Sequence, residues 1–201
     1  MAIFAKLKKK GMKLSKNIVF SFVLLIIIAA LYRVMPGRPG GFAPQIAMAL
    51  FAGSVIKDRK YAFALPLFSM FISDMIYHVM YLTGAGIFPG FYEGQITNYI
   101  LFGLITVVGF FVKEKNLVSI AAGSLVGPTV YFLISNFFVW TSNAGLARPN
   151  TWEGLMQCYV DAIPFYRTSI MATLFFSAVL FGSYFLLTRA AKVNINAGTQ
   201  R

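Results

Sequence analysis

Six apolar stretches, at about residues 18–32, 44–56, 61–82, 96–112, 117–142 and 168–188, constrain what this chain can become. A bilayer offers no water to backbone N–H and C=O groups, so repeated apolar runs of this kind fold as helices that satisfy those groups internally. Most of the stretches meet the ~20 residues needed to cross ~30 Å of hydrocarbon. The second does not: Pro44 to Ile56 spans 13 residues, roughly 20 Å of helix at ~1.5 Å per residue. It fits either a short, tilted span or a re-entrant hairpin.

Composition agrees with the class. Of 201 residues, 58% are hydrophobic and 12% charged, which excludes an ordinary soluble domain. The charge is lopsided, 18 Lys+Arg against 6 Asp+Glu, for a formal net charge of +12. In a soluble protein that excess would point to nucleic acid. Here its placement reads as membrane orientation, so the expected partner is the lipid bilayer and not a nucleic acid. The single cysteine, Cys158, excludes an internal disulfide and a multi-cysteine metal site.

Residues 1–16 form a basic juxtamembrane segment with six lysines, 17–190 the membrane domain, and 191–201 a cytoplasmic tail. The start resembles a signal peptide, but no A-x-A cleavage site follows, so the first helix is read as retained. With six crossings, the N-terminal side collects those six lysines with Lys57, Arg59, Lys60, Lys113, Lys115, Arg189, Lys192 and Arg201. The other side holds only Arg33, Arg38, Arg148 and Arg167. A re-entrant second segment would give 8 against 10, the reverse of the positive-inside pattern. The expectation is an all-α membrane protein of the bacterial cytoplasmic (inner) membrane. It would be a six-helix bundle with both termini cytoplasmic and a short second span.

This topology puts loops 33–43, 83–95 and 143–167 on the outer face. They are rich in Gly, Pro and aromatic residues, whereas the inner connections are short and charged. A ligand mouth would be built on such a face. Within the third loop, Asn150 as N-cap, Glu153 three residues on and the helical spacing of Trp152, Leu155, Met156, Tyr159 and Ile163 predict an amphipathic helix ended by Pro164. It reads equally as a lid or as an interfacial helix.

One apolar span carries unusual chemistry. Asp74, His78 and Tyr81 stand at i, i+4 and i+7, on one helical face. A carboxylate at membrane depth is costly and usually faces a protein interior or a cavity. Asp74 reads either as a ligand or proton group, or as a strut that caps a broken helix or pairs with Arg33. His78, the only histidine, reads as a structural hydrogen-bonder or a single ligand. One His and one Asp do not make a zinc site. Asn136 in the fifth span should pair across helices. Small residues four apart (Ala49 and Gly53; Ser119, Gly123 and Gly127) allow close helix contact, and Gly127-Pro128 predicts a kink that frees carbonyls toward a cavity. Cys158 lacks activating neighbours, and no hydrolase or ATPase motif is present, so no enzyme is expected.

Arg33…Pro36, Phe42-Ala43-Pro44, Ala49-Leu50-Phe51-Ala52-Gly53, Ser73-Asp74, Ser135-Asn136-Phe137…Val139-Trp140 and Cys158-Tyr159…Ala162-Ile163-Pro164-Phe165 carry a resemblance. Over about residues 30–188 the chain resembles a bacterial membrane family similar to the substrate-binding S components of energy-coupling-factor vitamin transporters, including the solitary cobalamin-binding kind. The resemblance implies a six-helix bundle with an outer-face pocket capped by loops. The expected ligand-binding set is Asp74, His78, Tyr81, Phe42, Tyr92, Asn136, Trp140, Trp152, Tyr159 and Phe165.

Two features depart from the resemblance. The first span lacks the A-x-x-x-A stripe with which S components dock on an energising module. No cysteine stands near the outer end of the third span to hold cobalt; His78 is the nearest donor and would serve as axial ligand of a bound corrinoid. The functional expectation is a substrate-binding or uptake protein for a small vitamin-like molecule, with cobalamin first among candidates. No cofactor or metal of its own is expected, and an energising module is left open as a partner. The alternatives are a structural or assembly membrane protein, and a proton-coupled carrier using Asp74.

Overall fold

The computed structural model describes residues 16–198 and, among them, contains six helices and no strand. They are α1 Lys16–Val34, α2 Gln45–Val55, α3 Arg59–Leu82, α4 Gln95–Gly109, α5 Leu117–Thr141 and α6 Trp152–Gly198. Apart from Lys16, the basic N-terminal segment lies outside the described residues, as do residues 199–201 of the expected tail. Arg59–Leu82, Leu117–Thr141 and Trp152–Arg189 are long and apolar enough to cross a membrane, and Val23–Val34, Gln45–Val55 and Gln95–Gly109 are shorter apolar helices. This is the make-up of a helical membrane protein.

The helix starts follow from local chemistry. Asp58 accepts the Lys60 N–H at 3.1 Å ahead of α3, and Asn116 accepts the Ser119 N–H at 3.0 Å ahead of α5. Ser119 returns the favour by accepting the Lys113 N–H at 2.9 Å. Both caps sit in the short charged connections. At the opposite end of the bundle α2 follows Pro44 and α4 follows Gly94, and neither start has a side-chain cap.

Burial is distributed as lipid solvation requires. Phe68, Phe71, Met75 and Val79 of α3 and Phe175, Val179, Phe185 and Leu186 of α6 are exposed, whereas Ser69, Ser73, Asp74, Thr106, Ser124, Thr173 and Ser177 are buried. Small and polar groups therefore pack helix against helix, as in the 2.9 Å bond from Ser124 to Ser177 between α5 and α6. The centre is α2: all residues from Gln45 to Gly53 are buried, and α3, α4, α5 and α6 pack around it. Gly53 and Gly109 let α2 and α4 cross backbone to backbone. A Cβ on Gly53 would stand 2.9 Å from the Gly109 Cα, and one on Gly109 would stand 2.6 Å from the Leu50 carbonyl oxygen. Gly123 packs on Val112, and Gly127 on Leu50 and Ile46 of α2, so the small-residue spacings serve packing within the chain.

The segment 143–167, read from sequence as the last outer loop, departs from expectation. Pro164 does not end a short amphipathic helix; it lies inside α6, which runs without a break from Trp152. Proline forfeits one bond, to the Val160 carbonyl, and a helix packed in a bundle tolerates that loss. The cap is Thr151 rather than Asn150, with its hydroxyl accepting the Gly154 N–H at 3.2 Å. Residues 150–163 are therefore mostly the first turns of a long helix, not a separate lid. Pro66 and Pro128 are likewise buried inside α3 and α5.

Candidate functional site

Two clusters of polar groups lie at the end of the bundle that carries loops 35–44, 83–94 and 142–151. The first is centred on Asp74, whose side chain is 1% exposed. Arg33, at the end of α1, pairs with one carboxylate oxygen and also donates to the Ser73 hydroxyl. The other oxygen accepts from Gln95 Nε2 at 2.8 Å and from the Tyr99 hydroxyl at 2.7 Å, both on α4. Tyr77 donates to the Arg33 carbonyl at 2.7 Å, and the Arg33 guanidinium stands 5.6 Å from the centre of the Tyr77 ring. Helices α1, α3 and α4 are thus tied through one carboxylate, both oxygens of which are engaged.

His78 does not belong to this network. The side-chain partners of Asp74 come from α1 and α4, not from His78 one turn along α3. The Nδ1 of His78 is buried without a hydrogen-bond partner. Its ring meets Phe91 edge-on, with centroids 4.9 Å apart. Gly90 is buried against the same turn of α3: a Cβ there would stand 2.7 Å from the His78 Cβ and strike the α3 backbone, so loop 83–94 lies directly on α3. Tyr81 is 49% exposed and makes no hydrogen bond to Asp74. The i, i+4, i+7 face does not converge on one site.

The second cluster lines a cavity of about 350 Å³ walled mainly by α2, α4, α5, α6 and the 35–44 loop, with Arg33 of α1, Met70 of α3 and Tyr92 of the 83–94 loop completing it. Arg33, Arg38 and Gln45 border it on one side, and Asn98, Tyr131 and Asn136 on another. Phe102, Phe132, Phe165 and Tyr166 supply apolar wall. Arg38 donates to the carbonyls of Phe42 at 2.8 Å, Arg33 at 3.3 Å and Pro39 at 3.4 Å. Asn98 links Tyr131, which donates to it at 2.8 Å, to Tyr92, whose hydroxyl accepts at 2.7 Å. A smaller cavity of about 280 Å³ lies beside the first, bordered by Arg33, Asp74, Tyr77, Phe88, Pro89 and Tyr92. Arg33 and Tyr92 stand between the two.

Of the expected ligand-binding residues, Tyr92, Asn136 and Phe165 line the large cavity, and Asp74 and Tyr92 the small one. The others have different surroundings. Phe42 packs on Phe175 and Phe176. Trp140 donates to the Pro149 carbonyl at 2.9 Å and pins the last loop. Tyr159 donates to the Leu133 carbonyl at 2.9 Å. Trp152 is 69% exposed. Asn136 bonds the Phe132 carbonyl of its own helix rather than a neighbouring one. Pro128 is buried one turn short of the cavity-lining residues 131–136.

Arg38 and Gln45 were not singled out from sequence, although the structure places both on the wall of the large cavity. Gln45 carried a signal: it is the one amide at the head of an otherwise apolar 13-residue stretch. No group of three or more His, Cys, Asp or Glu side chains is placed to hold a metal among the described residues. No curated protein and no solved structure matches the chain. Over residues 13–195, however, it matches a family of unknown function (DUF6580), and the protein belongs to that family.

Proposed function

We propose that this protein spans the bacterial cytoplasmic membrane six times, with both termini cytoplasmic, and binds a small molecule at its outer face for uptake. One observation carries the reading: the large cavity, whose wall draws on all six helices and on the 35–44 and 83–94 loops, at the end bearing the Gly-, Pro- and aromatic-rich loops. The short second span explains why space exists there. The 11 residues of α2 give roughly 16 Å of helix at ~1.5 Å per residue, well short of the ~30 Å core. Being enclosed by four other helices, α2 need not reach both headgroup layers.

The organisation supports a likeness to vitamin-binding S components, with the loop-bearing end as the mouth. It does not favour cobalamin as cargo. About 350 Å³ is at the low end of ligand cavities, which run ~300–1,000 Å³, and a corrinoid with its side chains is far larger. His78 borders neither cavity. A smaller molecule fits these walls. Asp74 is fully engaged with Arg33, Gln95 and Tyr99, which supports a strut rather than a proton carrier.

Site-directed labelling tests the topology. In a Cys158→Ala background, a cysteine at Ile87 should react with an impermeant thiol reagent from outside intact cells, and one at Asn116 should not. Labelling of Asn116 from outside would sink the six-span arrangement. A ligand-dependent rise in the unfolding temperature of purified protein would separate uptake from a purely structural role.

A further inference from the structure

We infer that the ligand of the large cavity is a small organic carboxylate that also carries a hydroxyl or N–H donor, and that Arg38, the N-terminus of α2 and Gln45 hold it. This rests on the reading of that cavity as a ligand site.

Three independent features converge there. The first is charge. Among the described residues the ion pairs are Arg33–Asp74 and Arg148–Asp161, so Arg38 has no carboxylate partner. Its Nε and Nη1 bond backbone carbonyls, and its Nη2 bonds no acceptor among the described residues. Arginine stays charged, and a planar fork with a free edge suits a carboxylate. With Arg33 neutralised by Asp74 and no carboxylate lining the large cavity, its wall carries one unbalanced positive charge. Standing in the 35–44 loop beside the cavity, that charge would draw in an anion.

The second feature is the start of α2. Its N-cap is Pro44, which offers no side-chain acceptor, and the first helical bond runs from Met48 N–H to the Pro44 carbonyl at 2.8 Å. The N–H groups of Gln45, Ile46 and Ala47 precede that bond, and the positive end of the helix dipole meets the cavity at Gln45 and Ile46. The third feature is Gln45 itself, 2% exposed, whose Nε2 donates to the Ala29 carbonyl at 3.4 Å. A carbonyl only accepts, so the amide is oriented with Oε1 free, and that buried oxygen has no partner. It asks for a donor. Carboxylate acceptors beside an added donor answer both demands, and Phe102, Phe132 and Phe165 suit a flat or apolar body.

The test uses full-length protein in mild detergent and matched pairs of small hydroxy-carboxylates and their amides, aromatic and aliphatic, followed by calorimetry and thermal unfolding. Acids should bind tighter than their amides by about 10- to 100-fold, the size of a charge-assisted interaction. Arg38→Gln should erase that preference. Arg38→Lys, which keeps the charge should the glutamine variant fold poorly, should retain part of it. Gln45→Leu should keep the preference for acids but lose that for hydroxylated acids over their deoxy counterparts. Amides that bind as well as acids, with Arg38→Gln without effect, would overturn the carboxylate while leaving the cavity a ligand site. Stabilisation by anionic phospholipid alone would overturn it in favour of a lipid headgroup. If neither set binds, native mass spectrometry of protein from its own membranes decides. A retained acid supports the inference, a neutral or cationic molecule overturns it, and no small molecule at all removes the ligand-site reading with it.

Discussion

The Asp74 cluster and the Gln45–Arg38 cluster are neighbours that share Arg33, yet they are opposites in how their polar groups are used. Around Asp74 each strong acceptor has its donor: Arg33 on one oxygen, Gln95 and Tyr99 on the other. Around Gln45 the polar groups outnumber their partners, with Oε1 unpartnered and Arg38 lacking a counter-charge. A buried network that closes on itself rigidifies a fold, whereas one left open costs stability unless something else completes it. The difference separates a strut from a receptor, even though the acidic residue in its apolar stretch is the more conspicuous of the two in sequence.

The largest expected effect tests the strut. Asp74→Ala leaves the Arg33 guanidinium and the Gln95 and Tyr99 donors without their acceptor. It should destabilise the protein by about 3–5 kcal/mol, the cost of breaking a buried pair from one side. Replacing both partners, as Arg33→Met with Asp74→Leu, should recover much of that loss. Denaturation in detergent gives the readout. A stable Asp74→Ala protein that no longer binds ligand would reverse the assignment of the two clusters.

A smaller effect addresses what both clusters stand on. Gly53 lies where α2 meets α4; α2 carries Gln45, and α4 carries Gln95 and Tyr99. A valine there has nowhere to go but against the Thr106 carbonyl and the Gly109 backbone, and overpacking of this kind costs about 1–3 kcal/mol. Gly53→Val should therefore lower stability and weaken ligand binding together. An effect on binding with unchanged unfolding temperature would mean that α2 moves as part of ligand entry.

Much of the helical layout was legible in the chain because it depends on local chemistry. The apolar stretches at 44–56, 61–82 and 117–142 fall within two residues of α2, α3 and α5 at each end. Two of those starts are written in Asp58 and Asn116. Pro164 misled because proline's effect depends on its solvent: in water it ends a helix, in a packed apolar bundle it only removes one bond. The pairing of Arg33 with Asp74 was one of several readings, and the structure selects it. The i, i+4 relation of Asp74 and His78 was true of the helix but not of the site. Partners 21, 25 and 41 residues away took the carboxylate, and no spacing rule within one helix sees them. Gln45 and Arg38 were hidden for the converse reason, since being unpartnered is a property of the whole fold.

The smallest expected effect falls on the residue that sequence made most prominent. His78→Leu removes a buried nitrogen that bonds to nothing, a gain, and removes an edge-on contact with Phe91, a loss. Each term is worth about 1 kcal/mol, so the net change in stability should lie within about 1 kcal/mol of zero. Because His78 lines neither cavity, ligand affinity should stay within a factor of about 3, the fold-change of a few tenths of a kcal/mol. The measurement is sensitive to one alternative. Gly90 and Phe91 rest on His78, and Tyr92, the next residue, borders both cavities. A loss of affinity beyond tenfold in His78→Leu, with unfolding unchanged, would show that His78 acts through loop 83–94. The line between strut and receptor would then have to be redrawn to include that loop on the receptor side.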